Sequence, residues 1–176
     1  MNGYLEYKEN ASDYNIENDT IDYKTGLTFQ EFKKNNNINK FRPAVFLLVT
    51  GNMDEVDNIS EIKQRIIQNV FNNVKNMDGE YIKFILGSKV MSEAVTLKNC
   101  KEIHIIDSFY NIPRINQVIG RVIRMCVHMD VVNDTNYRYP SVNIYKYVIT
   151  IDTRQKGKLS IDEKLYQKGH FFRKKK

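Results

Sequence analysis

Disulfide frameworks, membrane spans and a broad basic surface are all missing from this sequence, and each absence narrows what the chain can be. Its 176 residues include two cysteines, Cys100 and Cys126. Two thiols so far apart cannot form the multi-bridge scaffold of a small secreted domain, and they suit a reducing, intracellular compartment. No apolar run approaches the roughly 20 residues that a helix needs to cross a bilayer. The N-terminus lacks a basic-then-apolar signal pattern, so the chain is expected to stay in the compartment where it is made. There is no internal repeat. The net charge is +6, but Arg173, Lys174, Lys175 and Lys176 hold four of those charges at the end of the chain. The rest is close to balanced. Contact with a polyanion must then come from a few placed donors, and the tail over 169–176 reads first as a solvated, solubilising end.

What is present describes one ordinary soluble domain, with 41% hydrophobic and 27% charged residues and enough chain for a core of its own. Residues 1–42 are polar and rich in Asn, and read as an irregular insertion or the remnant of a domain start, with at most short elements. From Pro43 the pattern changes. Ala44–Val49 is a continuous apolar run stopped by Thr50-Gly51, which predicts a strand buried on both faces. Ile59–Val74 carries Ile62, Ile66, Ile67, Val70, Phe71 and Val74 as a helical stripe. Tyr81–Leu86 and Ile103–Asp107 predict two more strands, Ser141–Ile151 alternates toward a fourth, and Ile161–Tyr166 suits a short closing helix. Continuously apolar strands alternating with helices predict an α/β fold, a parallel sheet with helices on both faces.

The clearest predicted element is a helix from Pro113 to about Cys126. Pro113 fits the first turn, where its missing N–H would be unpaired anyway. Ile115, Val118, Ile119, Val122, Ile123 and Cys126 fall on one apolar face. Arg114, Gln117, Arg121 and Arg124 form a second stripe across from it. Gly120 costs roughly 1 kcal/mol relative to Ala in mid-helix, which suggests that something comes close to the backbone there. An arginine-rich helix face is, taken alone, usually a solvated face. Cys126 with His128, and Cys100 with His104, fit no zinc spacing and read as ordinary packed residues, so no metal site is expected. Asp107 suits a loop-orienting role, and the tyrosines over Tyr137–Tyr147 suit packed rings with wet hydroxyls.

Gln117-Val118-Ile119-Gly120-Arg121-Val122-Ile123-Arg124 resembles motif VI of superfamily 2 helicases, Q-x-x-G-R-x-x-R. Such a four-position match recurs by chance roughly once in a thousand chains of this length, so its context matters. Upstream, Gly87-Ser88-Lys89-Val90-Met91-Ser92-Glu93-Ala94-Val95-Thr96-Leu97-Lys98-Asn99 looks like motif V, placed between two predicted strands as in that family. Val49-Thr50-Gly51 is similar to the family segment that touches the nucleic-acid backbone. The combination looks most like the helicase-like ATPases of large cytoplasmic DNA viruses, such as poxvirus-type early transcription factor subunits and nucleoside triphosphatases. It covers residues 43–130.

The resemblance implies a RecA-like C-terminal helicase domain over 43–168 and a set of roles. Arg121 and Arg124 would be the arginine fingers that reach the phosphates of ATP. Gln117 and Gly120 would orient and admit them, and Ala94 and Thr96 would lie beside the nucleotide. Thr50, Gly51, Ser88 and Lys89 would face DNA or RNA phosphates, positioning a strand without reading its sequence. Three departures stand out. Position 94 is Ala where Gly is usual, Thr96 replaces the Asp of the DEAD-box branch, and neither a G-x-x-x-x-G-K-[ST] loop nor a DExx box is read in the chain. The ATP grip, the magnesium ligand and the water-aligning base are therefore assigned to a partner, a first RecA-like domain with the P-loop and DExx box. Without it the chain is expected not to hydrolyse ATP. The sequence also starts too late for the strand that opens such a domain, so a fragment, a split gene product or a decayed copy is expected. The family implies a helicase or translocase linked to viral transcription, in host cytoplasm or virion. The alternatives are a non-catalytic module binding nucleic acid or a transcription partner, and an inactive relic.

Overall fold

The computed structural model describes residues 3–9, 15–35, 40–50, 59–88, 91, 95–106, 112–124, 126–133, 140–151 and 158–173. The chain divides into two compact units, 1–98 and 99–176. Each is described by itself.

The first unit is built on a three-stranded parallel sheet ordered β1-β2-β3, with β1 at Leu5–Glu6, β2 at Val45–Val49 and β3 at Phe84–Gly87. The apolar run after Pro43 thus becomes the central strand. It is not buried on both faces as its composition predicts. Val45, Leu47 and Val49 are fully buried, whereas Leu48 is 37% exposed. The difference lies in what covers each face. Leu47 and Val49 pack in a cluster with Ile59, Ile66, Ile67, Ile82 and Val95. On the other face Phe46 stacks on its register partner Phe84, with centroids 5.7 Å apart. Tyr4 meets Phe84 edge-on at 6.0 Å.

The polar leading stretch holds the short elements its sequence allows, and one of them, β1, joins the sheet. α1 (Ile16–Asp19) is capped by Asn15, and α2 (Phe29–Lys34) opens with a reciprocal capping box between Thr28 and Glu31. Between them Asp22 is buried and organises a turn. Its carboxylate accepts from the N–H groups of Lys24, Thr25 and Arg42 and from the Thr25 hydroxyl. Burial alone would raise its pKa, but these four donors outweigh it and hold the carboxyl below the usual range.

The predicted helix over Ile59–Val74 is shorter and changes pitch. Ser60 caps α3 (Glu61–Ile66), which continues as a π-helical turn over Ile67–Phe71, closed by the Asn72 N–H donating to the Ile67 carbonyl at 2.9 Å. The wider turn breaks the 3.6-residue period. Ile66 and Ile67 stay buried, while Ile62 and Val74, at the ends of the stripe, are more than half exposed. Asn76, itself buried, ties this region to the approach of β3. It donates to the carbonyls of Phe71 and Ile82 and accepts from the N–H groups of Tyr81 and Ile82.

The second unit holds a two-stranded parallel sheet, β4 (Glu102–Ile105) beside β5 (Asn143–Lys146). Its helices are α4 (Ile112–Val122), α5 (Met129–Val132) and α6 (Ile161–Arg173). The last runs seven residues past the predicted closing helix. Among the described residues, the pairs between β1 and β2, β2 and β3, and β4 and β5 are all parallel, as in an α/β fold of the RecA type. Among the described residues, no helix is long and apolar enough to cross a membrane.

Candidate functional site

In the first unit, β2 and β3 run in the same direction with Val49 opposite Gly87. Thr50 leaves the carboxyl end of one strand and Ser88 the carboxyl end of its neighbour, and both are exposed. The Ser88 N–H donates to the Val49 carbonyl at 3.0 Å, which keeps the two ends in step. Open parallel sheets take ligands at this edge, beyond their strand carboxyl ends. The fold therefore brings Thr50 and Ser88 together. Gly51 and Lys89, assigned beside them, lie outside the described residues.

Gly87 has a packing reason to be glycine. A Cβ there would fall 2.5 Å from Cγ and 3.2 Å from Cβ of Met91. The Met91 N–H donates to the Ser88 carbonyl at 3.1 Å, and its side chain packs on the core cluster. Met91 can lie this close to the end of β3 with position 87 bare.

Thr96 is half-buried, while Ala94 lies outside the described residues. Val95 and Leu97 pack into the core cluster, alternating with Thr96 and Lys98. The backbone of this segment is held at both ends by one side chain. Asn72 Nδ2 donates to the Thr96 carbonyl at 2.9 Å, and Asn72 Oδ1 accepts from the Lys98 N–H at 2.8 Å. Nothing in the sequence pattern marks Asn72, because its partners lie 24 and 26 residues away.

In the second unit, α4 carries the arginine stripe. Ile115, Ile119 and Val122 are buried, Val118, Gly120, Arg114 and Arg121 are half-buried, and Gln117 is exposed. Successive residues turn by about 100°, which puts Gln117 and Arg121 on the side away from the buried trio. An added Cβ on Gly120 would meet nothing within 4 Å, so packing within the chain does not require the glycine. The predicted extension to Cys126 is not helical. α4 ends at Val122, Ile123 is 51% exposed, and Cys126 takes a left-handed φ of 66° that turns the chain. Arg124 therefore stands past the helix end, exposed, rather than on its last turn.

Two residues fix that turn. His128 Nε2 donates to the Val122 carbonyl at 3.0 Å, capping α4 at its C-terminal end. Asn99, also at positive φ, donates its backbone N–H to the Val127 carbonyl at 3.1 Å and its side-chain amide to Asp130 at 2.8 Å. His128 is thus a helix cap.

The remaining polar candidates have local partners. His104 stacks on Tyr145 at 4.7 Å, and its ring nitrogens lie 2.8 Å from the Tyr147 hydroxyl and 3.2 Å from Glu102. Burial pushes the Cys100 thiol up to about 12, so it stays protonated. Among the described residues, no group of three or more His, Cys, Asp or Glu could hold a metal ion. Asp107 lies outside the described residues. So does Asp54-Glu55-Val56-Asp57, which fits the letters of DExx and corrects the expected absence of that box, although the sequence holds no G-x-x-x-x-G-K-[ST] loop to go with it.

Parallel strands with exposed hydroxyls at their carboxyl ends, and a helix presenting the Gln-x-x-Gly-Arg stripe, define a RecA-like helicase domain of the C-terminal type. The chain carries the helicase conserved C-terminal domain, which matches residues 56–126. It is 43% identical to a protein of Acanthamoeba polyphaga mimivirus described as an ATP-dependent RNA helicase, over 96% of this chain and 15% of that one. A second protein of that virus, described in the same words, is 35% identical over 79% of this chain and 22% of its own length. A termination factor NPH-I homolog of African swine fever virus is 28% identical over 70% of this chain and 17% of its own. The chain thus spans less than a quarter of the length of these relatives. No solved structure matches it significantly.

Proposed function

We propose that this chain supplies the arginine fingers and half of the nucleic-acid track of an ATP-dependent helicase or translocase. The observation that carries this reading is the division of labour on α4. Its buried Ile115, Ile119 and Val122 anchor the helix, while Arg121 on the other side and Arg124 just past the end carry guanidinium groups. Phosphoryl transfer needs charge stabilised on the equatorial phosphate oxygens, and a planar guanidinium fork matches that geometry.

In this reading ATP sits on a first RecA-like domain, whose P-loop holds the phosphates and whose acidic box holds magnesium. Magnesium would neutralise the developing phosphate charge there. This chain's part is to deliver Arg121 and Arg124, with Gln117 orienting them, Gly120 leaving room for close approach, and Ala94 and Thr96 beside the nucleotide. Thr50, Gly51, Ser88 and Lys89 contact phosphates of bound DNA or RNA through hydroxyl, backbone and ammonium donors, which position a strand without reading it. The termination factor homolog among the viral relatives supports a transcription-linked setting.

The test is ATP turnover by this chain joined to a first helicase domain with a P-loop. Arg121→Ala should cut nucleic-acid-stimulated turnover by at least about 10³-fold, the low end for arginine fingers. Full turnover in the variant would refute the reading and favour a module that only binds.

A further inference from the structure

We infer that Asn72 is a positioning residue for the nucleotide-facing segment around Thr96, and that the π-helical turn before it exists to present it. The inference rests on the proposed reading that Thr96 lies beside the nucleotide.

The geometry is specific. Along an extended segment, the carbonyl of one residue and the N–H of the residue two further on emerge on the same edge. Asn72 meets both at once, donating to Thr96 O at 2.9 Å and accepting at Lys98 N at 2.8 Å. Its carboxamide thus replaces a neighbouring strand. The segment is held at right angles as well, since Val95 and Leu97 pack into the core cluster. Core packing from one side and a two-point hydrogen bond along the edge together restrain the backbone at Thr96.

Asn72 reaches this place through an irregular helix. Its N–H closes the π-turn on Ile67 O at 2.9 Å, and Phe71 just before it packs on the same cluster. A π-turn inside an α-helix is rare and often marks a functional position. Here it re-aims the end of the helix so that a carboxamide faces the segment edge. Aspartate cannot substitute when ionised, since it has no donor for Thr96 O. Protonated aspartate can, since its hydroxyl donates while its carbonyl accepts.

Two measurements test this. In amide hydrogen exchange on the chain itself, Asn72→Ala should lose protection at Lys98, while Asn72→Asp should keep it. Unchanged exchange at Lys98 in Asn72→Ala would overturn the clamp. In the chain joined to a P-loop domain, Asn72→Ala should raise KM for ATP about tenfold or more, with a smaller change in kcat. Asn72→Asp should show the same defect at neutral pH, where its ionised carboxylate cannot donate to Thr96 O. A purely structural role would lower the folded fraction and turnover without moving KM apart from kcat. If Asn72→Ala loses the Lys98 protection but leaves KM unchanged, the positioning role is wrong. Loss of turnover in Arg121→Ala would then show that the finger reading stands regardless.

Discussion

His128 Nε2 lies 3.0 Å from the carbonyl oxygen of Val122, so the ring caps the helix that bears Arg121 from six residues downstream. The bond satisfies one of the last carbonyls of α4, which has no partner within the helix. His128→Ala should therefore loosen the last turn at a cost of about 1 kcal/mol. Hydrogen exchange should quicken at the Val122 and Ile123 amides before it changes at Ile115. If exchange rises evenly along α4, the ring does not act as a cap.

Arg121 and Arg124 are not expected to be equivalent. Arg121 is half-buried on a regular helix, whereas Arg124 follows the helix end and is exposed. In the joined motor, Arg121→Lys should recover little turnover, because an ammonium cannot reproduce the bidentate fork. Arg114→Ala serves as the control and should change turnover far less. Nucleic-acid affinity should stay within about twofold in the Arg121 and Arg124 variants, since phosphate-track contacts are assigned elsewhere. Equal loss of affinity and turnover would mean that the helix belongs to the track.

Gly87→Ala drives a Cβ into Met91, with Cγ only 2.5 Å away and Cβ at 3.2 Å. Rotating the Met91 side chain relieves only the first of these contacts. The turn after Ser88 must shift, at a cost of roughly 1–3 kcal/mol. Salt-sensitive binding of single-stranded nucleic acid should weaken with it, because Ser88 moves with that turn. Pairing Gly87→Ala with Met91→Gly, which removes both contacting atoms, should restore part of the loss. Failure of the double change to recover binding would place the cause in the strand rather than in the turn.

Asp22 makes the fold sensitive to acid. Its folded pKa is depressed, so its stabilising contribution is present above the unfolded carboxyl range and is lost as pH falls through the folded value. Denaturant midpoints should drop below about pH 4 more steeply for the natural chain than for Asp22→Asn. At neutral pH that variant should be the less stable of the two, since an amide NH₂ would face one of the N–H groups that the carboxylate accepts. Parallel pH profiles would remove Asp22 from the account.

The parts of the fold written in periodic apolar residues were legible in the sequence. Val45–Val49, the strand leading to Gly87 and the buried trio Ile115, Ile119 and Val122 each carry a period or a run that only one structure satisfies. Leu5–Glu6 escaped, because two residues inside a polar stretch have no period to read. The end of α4 was misplaced because the apolar spacing continues to Cys126, whereas the backbone turns there at positive φ without a glycine to announce it. The π-turn has no compositional mark at all. Within the candidate site, the motif pattern pointed to Thr50, Ser88, Thr96 and Arg121. Asn72 and His128 each act through one side chain on a distant backbone group, and no local spacing encodes that.

The turn over Ile67–Phe71 also constrains how the gene can change. A π-turn is an α-helix with one residue inserted, the extra residue being taken up in the wider turn. Losing one codon there lets the helix relax to its ordinary pitch while Asn72 keeps its direction about the axis. The same loss between Asn72 and Asn76 has no spare residue to draw on, and it shifts the amide that holds Thr96 against the one that holds the approach to β3. Substitution is cheap at exposed Gln68 and Asn69, and a one-codon loss there is the mildest change of length this segment can take.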